Sequence, residues 1–167
     1  MAIATVNATF ATEAQHDIAA RGMLHLVEVK ILPAMQLYRF ANAADRATWY
    51  AAPWWLGKSA YEALLRSAQS NNESLSRVAR RCLAVPKSPM DVLISVRILQ
   101  PLTAWSGTPK TLRLKAEGGR YLARQEPDRA ITQLYIPGLD PKNSSGACVA
   151  WNEVFTGTPR FLTSPRA

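Results

Sequence analysis

The chain is poor in the residues that most recognisable chemistries need. It has two cysteines and two histidines in 167 residues. Cys82 falls on a predicted helix and Cys148 in a loop-like stretch, which excludes a disulfide framework and favours a reducing, cytoplasmic setting, in the producing cell or in a target cell. His16 and His25 stand apart from each other and from the cysteines, so the ligand spacing of a zinc site is missing and no metal is expected. Apolar runs are all far shorter than the ~20 residues of a membrane helix, which leaves no membrane-spanning segment to expect. Gly118-Gly119 has no strand–loop–helix context, so it cannot serve as a phosphate-binding glycine loop. Met1 to Ala20 shows no basic segment followed by an apolar one, as a secretory signal would. It is rich in Ala and Thr and reads as a loosely attached leader, ahead of one domain over 21–160 and a tail over 161–167.

What is present suits a globular protein: 48% hydrophobic and 19% charged residues in a chain of single-domain size. The charge is unevenly placed. Met1 to Ser76 carries six basic and six acidic residues, whereas Arg77 to Ala167 carries fourteen and six, the whole of the net +8. Such a half can engage nucleic acid or phosphorylated ligands, with Arg120, Arg124 and Arg129 as its candidate contacts. It can equally be a solvated basic face that serves solubility.

Patterning predicts an α+β fold, a small and mostly antiparallel β core with a helix pair packed on it. Met23 to Leu32 and Gln36 to Phe40 read as strands, and 42–57 as an irregular, tryptophan-rich loop. Ser59 and Glu62 have capping-box spacing and predict the start of a helix. Tyr61, Leu64, Leu65 and Ala68 give that helix its apolar stripe. Leu75, Val78, Ala79, Cys82 and Leu83 repeat the stripe in a second helix, which places Cys82 in the core. Asp91 to Leu99, Thr111 to Ala116, Ala130 to Ile136 and Val149 to Phe155 read as further strands, with Gly118-Gly119 as a hairpin turn toward Tyr121.

The order of certain pieces carries a functional expectation. Leu37-Tyr38-Arg39 ends an early strand; Trp49, Tyr50, Trp54 and Trp55 follow, then a helix. A later strand runs into Trp105-Ser106-Gly107-Thr108, and Ile131 to Gly138 ends the series in a Pro-Gly step. In this order the pieces resemble the ADP-ribosyltransferase superfamily, with its small bacterial toxins and NAD-cleaving members. The resemblance spans roughly residues 35 to 140. It implies an ADP-ribosyltransferase-like fold, NAD as substrate, and transfer or hydrolysis of ADP-ribose, with a macromolecular target left open. It gives Arg39 a phosphate of NAD, Tyr50, Trp54 or Trp55 and Ser106 or Thr108 the nicotinamide, and Gln133 the place of the catalytic Glu. The family's paired acidic motif is missing, because Ile131 and Gln133 occupy its positions. A Gln orients a ribose hydroxyl but brings no negative charge to an oxocarbenium-like transition state. Glu126 and Glu153 are the carboxylates that could substitute.

Each of these residues also has a plainer reading. Arg39 can pair with a carboxylate at a strand edge, and Trp54 and Trp55 beside Pro53 can plug the core under a loop. Gln133 can be the outward, polar member of a strand, and Ser106 to Pro109 a turn. On those readings the protein is a non-catalytic module that binds nucleic acid or a protein partner.

Overall fold

The computed structural model describes residues 3–83, 89–110, 112–115, 121–125, 131–143 and 148–162. Their fold is α+β. Helix α1 (Glu13–Gly22) leads into strand β1 (Met23–Ile31), followed by β2 (Gln36–Ala41), β3 (Trp54–Gly57) and the helix pair α2 (Lys58–Asn71) and α3 (Leu75–Cys82). Then come β4 (Val92–Ile98), β5 (Leu102–Pro109), β6 (Leu112–Lys115), β7 (Tyr121–Gln125), β8 (Gln133–Tyr135), the short helix α4 (Trp151–Val154) and β9 (Phe155–Phe161). Seven strands form one sheet in the order β1-β5-β8-β3-β2-β4-β9, and β6 and β7 form a separate two-stranded ladder. Each of these pairings is antiparallel.

The large sheet folds over on itself. β1 and β2 lie far apart in strand order, yet a short turn joins them, pinned by Ala34 N–H to Ile98 O and Ile98 N–H to Met35 O, each 2.9 Å. Ile31 and Leu102 from one half therefore share an apolar cluster with Ile98 and Phe155 from the other. Strand alternation then decides the remaining packing. Leu37, Trp55, Val92, Ile94 and Val96 point into this inner core. Phe40, Leu56 and Leu93 point outward, where α2 and α3 cover them with Leu64, Val78, Ala79 and Cys82. A third cluster on the outer side seats Ala19 of α1 on Met23, Trp105 and Tyr135.

Several expectations need correction. α2 begins at Lys58 with Gly57 as its N-cap and no side-chain cap bond, so the Ser59–Glu62 capping box does not form. The capped helix starts are elsewhere: Ser74 Oγ accepts from Arg77 N–H, and Thr12 Oγ1 from Gln15 N–H, both at 3.3 Å. Residues 3–20 are no loose leader, because α1 packs on the sheet and Asn7 is fully buried. Ser106 to Pro109 is not a turn but the second half of β5. The tryptophan loop contains β3, and the last strand lies at 155–161, after α4, rather than at 149–155. The tail is tied down as far as Leu162, whose N–H donates to Asp91 O at 2.8 Å. The β6–β7 hairpin pairs as expected, while its Gly118-Gly119 turn lies outside the described residues. No disulfide joins the buried Cys82 to the exposed Cys148. No helix among the described residues is long and apolar enough to cross a membrane.

Candidate functional site

β2 and β3 are paired over only two positions, Leu37 with Gly57 and Tyr38 with Leu56. Beyond them β3 continues beside β8, with Trp55 opposite Leu134 and Trp54 opposite Tyr135, while β2 stays with β4 as far as Ala41. The two strands thus diverge from Arg39 and Trp55 onward, opening a wedge in the outer face. A cleft of about 410 Å³ occupies it, of the size usual for small-ligand sites. Its floor is β2, β3 and the start of β8; its walls are the C-terminal ends of α1 and α3, the end of β5, and the 3-10 segment 43–48.

Registration fixes which side chains share the outer face, since residues directly opposite in a ladder point the same way. Trp105, Tyr135 and Trp54 form one row across β5, β8 and β3. Gln133 lies one step along β8 from Leu134 and so faces outward with Tyr135 and Trp54. Trp54 reaches the cleft because Gly22 yields it space: a Cβ on Gly22 would stand 2.6 Å from the indole Cη2. Gln133 is half-buried in the cleft floor, and its amide makes no hydrogen bond among the described residues. Tyr38, also in the floor, stacks on Tyr61 of α2 with ring centres 4.0 Å apart.

Arg39 alternates with Tyr38 and Phe40, so its side chain leaves β2 on the Trp49 side, where Nη1 donates to Trp49 O at 3.1 Å. Burial pulls its guanidinium down to about 10, against the opposing pull of Asp45 and Asp140. Three cations, Arg21, Arg39 and Lys110, line the cleft against a single carboxylate among the described residues, Asp45, which accepts from Asn42 Nδ2 at 3.0 Å. The cleft therefore favours an anionic ligand.

Of the residues singled out from sequence, Arg39, Trp54, Trp55 and Gln133 line this one cleft. Trp55 does so with little of itself. It is 1% exposed, and its Nε1–H donates to Ala52 O at 2.7 Å, so it is a core plug rather than a stacking platform. Tyr50 is elsewhere, stacked on Trp151 at 4.5 Å and lying against Gly157 of β9. Ser106 and Thr108 sit within β5 and do not line the cleft. Glu153 is exposed on α4, with its backbone carbonyl accepting from Gln100, and does not line the cleft either. Glu126, Arg120 and Arg129 lie outside the described residues, and Arg124 is described only as a backbone position of β7 opposite Arg113. No cluster of possible metal ligands occurs among the described residues.

Sequence reasoning missed Arg21, Tyr38, Asp45 and Lys110. Tyr38 adjoins Arg39 but alternates to the opposite face of β2, so like the other three it joins the cleft only through tertiary folding. Comparison with family models, with curated proteins and with solved structures finds no match to this chain.

Proposed function

We propose that the cleft binds NAD and acts on it as an ADP-ribosyl transferase or NAD glycohydrolase. The observation that carries this reading is the wedge between β2 and β3, which gathers in one cavity an aromatic ring (Trp54) and, among the described residues, an unengaged amide (Gln133) and a cation excess. Trp54 offers a face for a planar ring, Gln133 a donor and acceptor for a ribose hydroxyl, and Arg39 adds positive field at the base of the wedge. A charge-neutral amide steadies an oxocarbenium-like transition state less than a carboxylate does, so turnover is slow. The same feature favours a second reading, in which the cleft binds the dinucleotide without cleaving it.

Nicotinamide release from NAD separates the two. On the catalytic reading, Gln133→Ala lowers kcat more than it raises KM, because orienting the ribose matters most as the glycosidic bond breaks. Gln133→Glu raises hydrolysis by restoring the missing charge, and Trp54→Ala weakens binding. If the wild type releases no nicotinamide and Gln133→Glu gains no activity, the catalytic reading is wrong. Binding without turnover is then retained only if tryptophan quenching by NAD persists.

A further inference from the structure

We infer that the α1–β5 rim of the cleft is a phosphate subsite, where Arg21 and Lys110 take the diphosphate of a nucleotide whose ring lies against Trp54. The inference rests on the cleft being a nucleotide site, as proposed above, but moves the phosphate away from Arg39, where the family resemblance would put it.

Three observations carry it. Arg21 sits in the last turn of α1 and Lys110 directly follows β5, and the Lys110 N–H to Gly22 O bond of 2.9 Å clamps these two elements together. Both residues line the cleft, and among the described residues neither side chain has an ion pair or hydrogen bond. Arg39 is differently placed: it is half-buried, Trp49 O takes one of its donors, and Asp45 and Asp140 lie within its field. Arg39 thus already commits a donor inside the protein, whereas among the described residues Arg21 and Lys110 leave all of theirs for a ligand.

The third observation is adjacency. Gly22 stands between the two cations in the fold and is also the residue against which the Trp54 indole packs. Ring surface and paired cations therefore meet at one rim, which is the combination a nucleotide presents in reverse. The backbone does not favour an anion here, because a helix C-terminus carries partial negative charge. Attraction has to come from the two side chains, and Arg offers the fork that matches phosphate oxygens.

ADP-ribose, which has the diphosphate but no nicotinamide, is the probe, with binding read by calorimetry and tryptophan quenching. Arg21→Ala/Lys110→Ala is expected to raise its Kd at least tenfold and to remove most of the weakening between low and high salt. The swap Arg21→Lys/Lys110→Arg keeps binding, and Arg39→Ala raises the Kd by less than the double alanine variant does; a cooperative melting transition confirms that each variant is folded. Wild-type affinity in the double alanine variant, or loss of binding in Arg39→Ala alone, overturns the inference, as does a wild type that does not bind ADP-ribose. A wild type that binds ADP-ribose through this rim yet releases no nicotinamide from NAD removes the catalytic reading and leaves the phosphate subsite standing.

Discussion

Tyr135 shows how one side chain joins core and cleft. It is fully buried, packs edge-on to Trp54 at 4.9 Å between ring centres, and donates its O–H to Gln15 Oε1 at 2.8 Å. It therefore supports the aromatic floor of the cleft and ties α1 to the sheet. Burial, reinforced by Asp140, pushes its phenol up to about 12. The sign follows from linkage: the fold favours the neutral phenol, so its contribution is complete below the ordinary tyrosine value of about 10. Stability is then lost as pH climbs from about 10 toward 12, where the unfolded chain ionises first. Tyr135→Phe keeps the ring and deletes the donor, which costs about 1–2 kcal/mol at neutral pH. Urea midpoints at pH 8 and pH 11 check both statements. The gap between wild type and variant should narrow at the higher pH, and a pH-independent gap would mean that the phenol ionises as freely in the fold as outside it.

At the scale of elements, the two serines of the helix pair give a paired test. Ser74→Ala removes the oxygen that accepts from Arg77 N–H and should cost about 1 kcal/mol. Ser59→Ala should change stability by less than about 0.5 kcal/mol, because Ser59 is exposed within the first turn and caps nothing. Denaturation midpoints of the two variants measured together decide the matter, and equal losses would restore a cap to Ser59. The pair also shows what could be read from sequence. β1, β2, β4 and the two helix stripes were legible because β-branched runs and 3.6-residue periodicity act locally. The exact start of α2 was not, since β3 runs straight into the helix and backbone continuity prevails over a side-chain signal. β5 was open to a turn reading from Ser106 onward because Ser106, Gly107 and Pro109 suit a turn, yet here small residues are needed: a Cβ on Gly107 would meet Leu24 O at 2.8 Å. α1 did announce itself, through Thr12 and Gln15 at cap spacing, but an Ala-rich stretch of low hydrophobicity obscured the signal. For the cleft, Arg39, Trp54 and Gln133 could be ordered from sequence, whereas the divergence of β2 from β3 that joins them depends on non-local pairing.

For the whole molecule, the folded-over sheet separates two tasks. The inner face is closed and packed, and the outer face holds α1 apart from α2 and α3, leaving the cleft between them. The N-terminal segment fastens this arrangement. Val6 N–H donates to Pro101 O at 3.1 Å, and Thr5 Oγ1 meets Thr103 Oγ1 at 2.6 Å. Asn7 Nδ2 donates to Thr103 O and Pro137 O at 2.8 and 2.9 Å, and its Oδ1 accepts from Thr103 N–H at 2.7 Å. Phe10 lies on Gly138, whose φ of +89° and absent side chain allow that contact. One buried amide thus joins β5 to the turn after β8, the two strands that hold the Trp105–Tyr135 side of the cleft. Net contributions of about 1 kcal/mol per hydrogen bond make Asn7→Ala cost about 3 kcal/mol, a large share of the 5–15 kcal/mol of a typical domain. Deleting residues 1–11, which spares the Thr12 cap, should cost at least as much and should weaken ADP-ribose binding, because α1 supplies one cleft wall. Chemical denaturation of the full chain, the point variant and the truncated chain, with ADP-ribose titrations on each, provides the check. A truncated chain that keeps the full-length midpoint and affinity would return residues 1–11 to the status of a loose leader and leave the cleft standing on the sheet alone.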